Sequence, residues 1–201
     1  MNNMNPKHWW SNPDNAEKWI RRCGFYYQGD NPTLEYVVSR IPDRFATMLE
    51  VGAGNGMFIG RLSQMYPYKG CSSIDINPKL SEYVNTKYPS VEAHVGDLTC
   101  LPFIDNNFTF IFTHQVLQHI QPEEIKQAIE ELKRVASREV WLFEGWGNTP
   151  DVMHGNMRHK ADGGTWYWDI SKLTDCYEVE YIKESLNKKG EGGVRLYKIK
   201  V

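Results

Sequence analysis

From residue 45 onward, short apolar runs alternate with segments whose apolar residues recur every three or four positions. "FATMLEV" (45–51), "GCSSIDI" (70–76), "VEAHVGD" (91–97), "FTFIFTH" (108–114) and "EVWLFE" (139–144) read as strands. "FTFIFTH" is nearly all apolar or β-branched, the composition of a strand buried on both faces. The intervening segments have helical spacing. "MFIGRLSQMY" points Phe58, Leu62 and Met65 inward, and "NPKLSEYVNTKY" starts a helix near Pro78. "PEEIKQAIEELKRV" sets Ile125, Ile129, Leu132 and Val135 on one stripe, with Glu123 and Glu124 favouring its start. Strands alternating with helices predict an α/β, doubly wound, mostly parallel sheet with helices on both faces.

The flanks differ from this pattern. Residues 1–14 are polar, with Pro6 and Pro13, and read as an irregular arm. "NAEKWIRRCGFYY" (15–27) forms a helix with Trp19, Ile20 and Cys23 on one side. "NPTLEYVVSRI" (31–41) forms another, capped by Asn31 with Pro32 in its first turn. Residues 146–168 are rich in Gly, His and Trp without a period, and a short helix is expected over 169–173. "YEVEYIKES" and "VRLYKIKV", joined by "LNKKGEGG", should pair antiparallel at one end of the sheet, bringing it to seven strands.

Composition narrows the classes. The 201 residues are 41% apolar and 24% charged, which suits one globular domain. A net charge of -2 with a pI near 6.3 provides no global positive field and disfavours a nucleic-acid acceptor. Cys23, Cys71, Cys100 and Cys176 form no C-x-x-C pair, and the start "MNNMNPKHWW" lacks an export pattern. A cytoplasmic protein with reduced thiols is expected, and no apolar run is long enough to cross a membrane. Seven Trp and eleven Tyr are the unusual entries; many fall near the N-terminus and between Trp146 and Trp168, suited to lining a pocket.

The chemistry concentrates in "MLEVGAGNGMF", where Gly52, Gly54 and Gly56 follow Glu50 at the end of a strand. Strand, glycine loop and helix bring a ligand against backbone amides. The spacing is neither the G-x-G-x-x-G of a dinucleotide fingerprint nor a triphosphate loop. Glu50 disfavours a phosphate and favours an ammonium, so a zwitterionic or cationic ligand is expected. Asp75, at the tip of the second strand, can accept from both hydroxyls of a ribose. Asp97, at the tip of the third, can accept from an adenine amino group while Leu98 lies on the ring. Asp75 reads as a site residue rather than a core one.

Taken in order, these segments resemble the class I S-adenosylmethionine-dependent methyltransferases. "LEVGAGNG" matches their acid-and-glycine loop, "IDINPKL" their ribose segment, and "GDLTCLPFIDNNFTFIFTHQVLQHI" the stretch into strand four. "ELKRV" followed by "VWLFEG" is similar to their helix and fifth strand, and the likeness covers about residues 45–145. The resemblance implies a Rossmann-like methyltransferase fold, with S-adenosylmethionine as cofactor and S-adenosylhomocysteine as product. It implies that Glu50 and Gly52 face the methionine part and that Ala53, Gly54 and Gly56 crowd the cofactor. Asp75 and Ile76 would then hold the ribose, Asp97 and Leu98 the adenine, and Thr113 and His114 the amino-acid end. Residues 1–44 would form a lid over a methyltransferase domain at 45–201, with 146–168 as the acceptor-side loop. A nicotinamide-dependent oxidoreductase would need the other glycine spacing; a non-catalytic cofactor-binding scaffold keeps this one.

Direct in-line displacement needs placement rather than an enzyme nucleophile. The [DN]-P-P-[YF] signature of exocyclic-nitrogen methylation is absent, and "THQVLQHI" lacks the clustered carboxylates of a metal-assisted site, so no metal is expected. His119 and His114 are the candidates for a general base. On the acceptor side stand Tyr26, Tyr27, Trp146, His154, His159 and Trp166. The expected acceptor is a small molecule methylated on oxygen or nitrogen, with protein and RNA as the competing classes. Monomer and homodimer are both left open.

Overall fold

A computed structural model describes residues 6–26, 32–146, 166, 168–182 and 193–201. Tyr27, His154 and His159 lie outside the described residues, as do the side chains of Tyr26 and Trp146. The strands are β1 (Thr47–Val51), β2 (Gly70–Asp75), β3 (Val91–Val95), β4 (Phe108–His114), β5 (Ala136–Trp146), β6 (Glu178–Ile182) and β7 (Gly193–Lys200). They form one seven-stranded sheet in the order β3-β2-β1-β4-β5-β7-β6. The first five pair in parallel, and β7 runs antiparallel between β5 and β6. The antiparallel pair at the sheet end is as the sequence predicts.

The helices are α1 (Pro6–Ser11), α2 (Asp14–Tyr26), α3 (Pro32–Arg40), α4 (Met57–Met65), α5 (Pro78–Lys87) and α6 (Ile125–Val135). Alternation along the strands divides the core in two. Met48, Phe110, Phe112, Trp141 and Phe143 pack on one face with Val37, Val38, Phe58, Ile59 and Leu62 of α3 and α4. Leu49, Val51, Ile111, Val140 and Leu142 pack on the other with Ile125, Ile129, Leu132 and Val135 of α6. Phe110, Ile111 and Phe112 are 0% exposed, which accounts for the nearly unbroken apolar run in β4. Met65 departs from the expected inward stripe: it is 38% exposed, and Ile59 fills the inward position in its place.

β1 is the point where the strand order turns back, with β2 on one side and β4 on the other. Open α/β sheets leave a crevice beyond the carboxyl ends of the strands at such a point. The N-terminal segment lies across it. The expected arm is instead the short helix α1, followed by α2. Its order comes from tertiary bonds: the Asn77 amide donates to the Trp10 carbonyl at 3.0 Å and the Asn12 carbonyl at 2.9 Å, and Asn15 donates to the Trp9 carbonyl at 2.8 Å. Asn77 also caps α5 by accepting from the Lys79 N–H at 3.1 Å. The helix expected over 169–173 is a single 3-10 turn, Ile170–Lys172. Among the described residues, no helix is long and apolar enough to cross a membrane, and Cys71, Cys100 and Cys176 are free thiols.

Asn77→Ala removes a helix cap worth about 1–2 kcal/mol together with both ties to the N-terminal helices. The expected result is a lower urea midpoint, with Trp9, Trp10 and Trp19 emission shifting red before the far-UV signal of the sheet is lost. Coincident transitions at the wild-type midpoint would contradict it.

Candidate active site

The glycine loop owes its bareness first to the backbone. Gly52, Gly54 and Gly56 have φ of 70°, 55° and 68°, a region that side chains with a Cβ enter only at a cost. A Cβ on Gly54 would also lie 2.6 Å from the Trp19 indole nitrogen, and one on Gly52 would lie 2.5 Å from Val116. The loop hangs from the end of β2. The N–H groups of Gly52 and Ala53 donate to the Ile74 carbonyl at 2.8 and 3.2 Å, and the Gly54 N–H donates to Asp75 Oδ2 at 2.8 Å.

Glu50 turns away from this crevice. It is 2% exposed, and its Oε2 accepts from the Ile59 N–H at 3.0 Å. That N–H is one of the donors that the first turn of a helix leaves unmatched, and Gly56 at the N-cap has no side chain to match it. Burial, with the Asp75 charge adding, pushes the Glu50 carboxyl up to about 8. Glu50, Ala53, Gly56 and Thr113 lie outside the lining of the cavity that opens at the carboxyl ends of β1, β2 and β4.

A cavity of about 150 Å³ opens at the carboxyl ends of β1, β2 and β4. Its floor includes Gly52, Gly54, Asp75, Ile76, Asp97, Leu98, His114 and His119, all predicted site residues. Asp75 is buried, and its second oxygen accepts from the Asn77 N–H at 2.9 Å. Each oxygen keeps a further lone pair, so the acid can hold the loop and still accept from a ligand. Burial holds its carboxyl above the ordinary range, only partly offset by the N–H groups of Asn77, Gly54 and Ile76. Asp75 is thus scaffold as well as site, unlike its reading from sequence.

Asp97 Oδ1 accepts from the N–H and hydroxyl of Thr99, both at 2.9 Å. Its other oxygen pairs with Lys7 of α1, whose amine also reaches Glu124 at 3.2 Å. Burial pushes the Asp97 carboxyl up, but Lys7 and Thr99 outweigh it and leave it below the usual range. Lys7, Trp10 and Trp19 line the cavity from above; from sequence Trp10 was expected only among the rings of a lid, and Lys7 and Trp19 were not singled out for the site. "PKHWW" carried the signal, since a Pro followed by Lys7 and Trp10 three residues apart describes one face of a first helical turn.

His114 ends β4 with its ring 4.4 Å from Phe58, and its Nε2 has no hydrogen-bond partner among the described residues. Burial pushes it down to about 4, so at neutral pH it is uncharged and a weak base. His119 ends the 3-10 turn Leu117–His119, its ring 4.5 Å from Trp10. That turn is held by Glu144 of β5, which accepts from the Thr113 hydroxyl at 2.6 Å and the N–H groups of Leu117 and Val116 at 3.0 and 3.3 Å. Burial pushes Glu144 up to about 7. Sequence reasoning missed Glu144, although an acid closing an apolar strand in "VWLFE" repeats the pattern of "MLE". Trp166 donates its N–H to the Gln118 carbonyl at 2.7 Å and Trp168 its indole N–H to the Leu117 carbonyl at 2.8 Å, so both buttress the turn, Trp166 from outside the cavity lining. Among the described residues, no group of His, Cys, Asp or Glu could hold a metal.

Residues 49–143 match the model of a methyltransferase domain. A malonyl-[acyl-carrier protein] O-methyltransferase of Methylococcus capsulatus is 32% identical over 93 residues, 45% of this chain and 33% of that protein. Its counterpart in Halorhodospira halophila is 28% identical over 162 residues, 71% and 54% of the two chains. The chain spans between a third and about half of the length of the curated relatives it matches. Among solved structures, magnesium protoporphyrin IX methyltransferase from Synechocystis, with bound S-adenosylhomocysteine, superposes with a TM-score of 0.67 at 15% identity, covering 97% of this chain and 99% of that one. A methyltransferase from Aquifex aeolicus gives 0.63 at 20% identity, covering 94% and 98%. At these identities the structural likeness shows the fold.

Glu50 and Glu144 have folded-state values above their ordinary 4.5, so the stability they confer is complete below pH 4.5 and lost as pH rises through about 7 and 8. His114 works in the opposite sense below its ordinary 6.5. Between pH 6.5 and 8.5 the acids alone remain, and Tm should fall across that window. Glu50→Gln and Glu144→Gln keep an acceptor and should each flatten the decline; unchanged slopes in both variants would refute the assignment. Gly54→Ala should cost about 1–2 kcal/mol from the left-handed φ alone, read as a lower urea midpoint.

Proposed function

Residues 49–143 are a methyltransferase domain of the class I S-adenosylmethionine-dependent type, and from that premise we propose that the chain methylates an oxygen or nitrogen of a small-molecule acceptor. The observation that carries the proposal is Asp75: a buried acid on the cavity wall, tied to the glycine loop, with lone pairs to spare. Such a group suits the two ribose hydroxyls of the cofactor. Leu98 supplies an apolar surface for the adenine, and Asp97, steadied by Lys7, an acceptor at its edge. Gly52, Gly54 and the end of β4 at His114 are left for the amino-acid part.

When bound, S-adenosylmethionine supplies an electrophilic methyl on a sulfonium. The chain's task is to place the acceptor in line with it and to exclude water. Trp10 and Trp19 cover the cavity, and the Glu144-held turn fixes His119 beside it. Of the two histidines, His119 is the better candidate for taking a proton, because His114 is a weak base. A compact, partly apolar cavity and a net charge of -2 favour a small acceptor over nucleic acid. The malonyl-carrier relatives favour a second form of the same reading, an acyl group delivered on a carrier protein. A cytoplasmic setting, consistent with the described free thiols, belongs to the proposal.

Calorimetry should show saturable binding of S-adenosylmethionine and S-adenosylhomocysteine that ATP and NAD do not mimic. Asp75→Asn should weaken it at least about tenfold, the loss of one charge-assisted bond. Absence of heat with folded wild-type protein would end the proposal. Incubation of metabolite pools, acyl-carrier fractions and total RNA with methyl-labelled cofactor then sorts the acceptors; label concentrated in RNA would overturn the small-molecule reading.

A further inference from the structure

Trp10 carries a donor that the protein itself does not use. Its indole N–H is buried and has no hydrogen-bond partner among the described residues, although its ring lines the cavity. Buried donors are seldom left in this state, because stranding one forfeits its bonds to water. The indole is also not at liberty to turn outward. Its carbonyl is held by Asn77 at 3.0 Å, and its ring is wedged against Trp19 at 4.9 Å and His119 at 4.5 Å between centroids. One residue group nearer the start of α1, Lys7 fastens the same helix to Asp97 and Glu124.

Resting on the methyltransferase reading above, we propose that the Trp10 indole N–H anchors the methyl acceptor by donating to a carboxylate or carbonyl oxygen on a flat, partly apolar body. The chemistry selects this class. An indole N–H can only donate, so an ammonium or other pure donor gains nothing there, whereas an oxygen with a free lone pair completes the bond. The neighbouring surface is aromatic, from Trp19 and His119, and suits a planar skeleton. Position separates the acceptor from the cofactor as the ligand. Trp19 covers Gly54, beside the loop left for the cofactor's amino-acid end, while Trp10 rests on His119 of the turn after β4.

The test reads the donor directly. In nitrogen-15-labelled protein the indole N–H signals of the seven tryptophans are recorded, and that of Trp10 is assigned by Trp10→Phe and, independently, by its proximity to the Trp19 and His119 rings. S-adenosylhomocysteine is added first, then benzoate, benzamide or benzylamine, each also without the nucleoside. The Trp10 signal should move downfield with benzoate or benzamide, stay in place with benzylamine, and respond little to S-adenosylhomocysteine alone. Trp10→Phe should weaken benzoate or benzamide binding at least about tenfold, with the affinity for S-adenosylhomocysteine held within about twofold. A signal that ignores both oxygen-bearing probes overturns the proposal. So does one displaced fully by S-adenosylhomocysteine, which would make the cofactor carboxylate its partner. Calorimetry of S-adenosylhomocysteine is scored separately, so failure of the cofactor reading is distinguishable from failure of this one.

Discussion

The carboxylate of Asp75 is the interaction on which the site depends. A loop that passes through the left-handed region at Gly52, Gly54 and Gly56 has no regular hydrogen-bond ladder to hold it. Asp75 replaces that ladder from one side by taking the Gly54 N–H, and from the other by taking the Asn77 N–H. Asn77, so placed, holds the carbonyls of Trp10 and Asn12 and brings the N-terminal helices over the cavity. Floor, rim and roof therefore meet at one side chain, which still has lone pairs for a ligand.

Much of the sheet was legible because burial on both faces leaves a plain mark in sequence. β4 and the α6 stripe were found by their apolar residues, and the C-terminal strand pair by its spacing. α1 was not legible, because six residues have little helical stability of their own and are ordered by Lys7 and Asn77 bonding across the chain and by Asn15 of the next helix. Met65 shows the same limit at finer grain: at the last turn of a nine-residue helix, periodicity points inward where the packing has already ended.

The acids were found by position but not by direction. Asp75 ends β2, Glu50 stands one residue before the end of β1 and Asp97 two residues past β3, yet only Asp75 and Asp97 line the cavity. A strand exposes alternate faces, and Glu50 falls on the face that meets α4, where it satisfies the Ile59 N–H. Glu144 does the equivalent work for the turn after β4. Both are buried carboxyls whose proton is retained well above the ordinary range, so they act as struts of the crevice rather than as fixed negative charges within it.

The roof and the floor enter the cavity by different routes. The floor is gathered from the ends of several strands and from the loops after them, so a change there disturbs residues far apart in the chain. The roof comes from one continuous stretch, Lys7 to Trp19, joined to the rest through few side chains. Substitutions within that stretch would reshape the space above the cavity floor without touching the strands that form it. The cavity thus joins a platform gathered from several strands to a cover carried on one short stretch of chain.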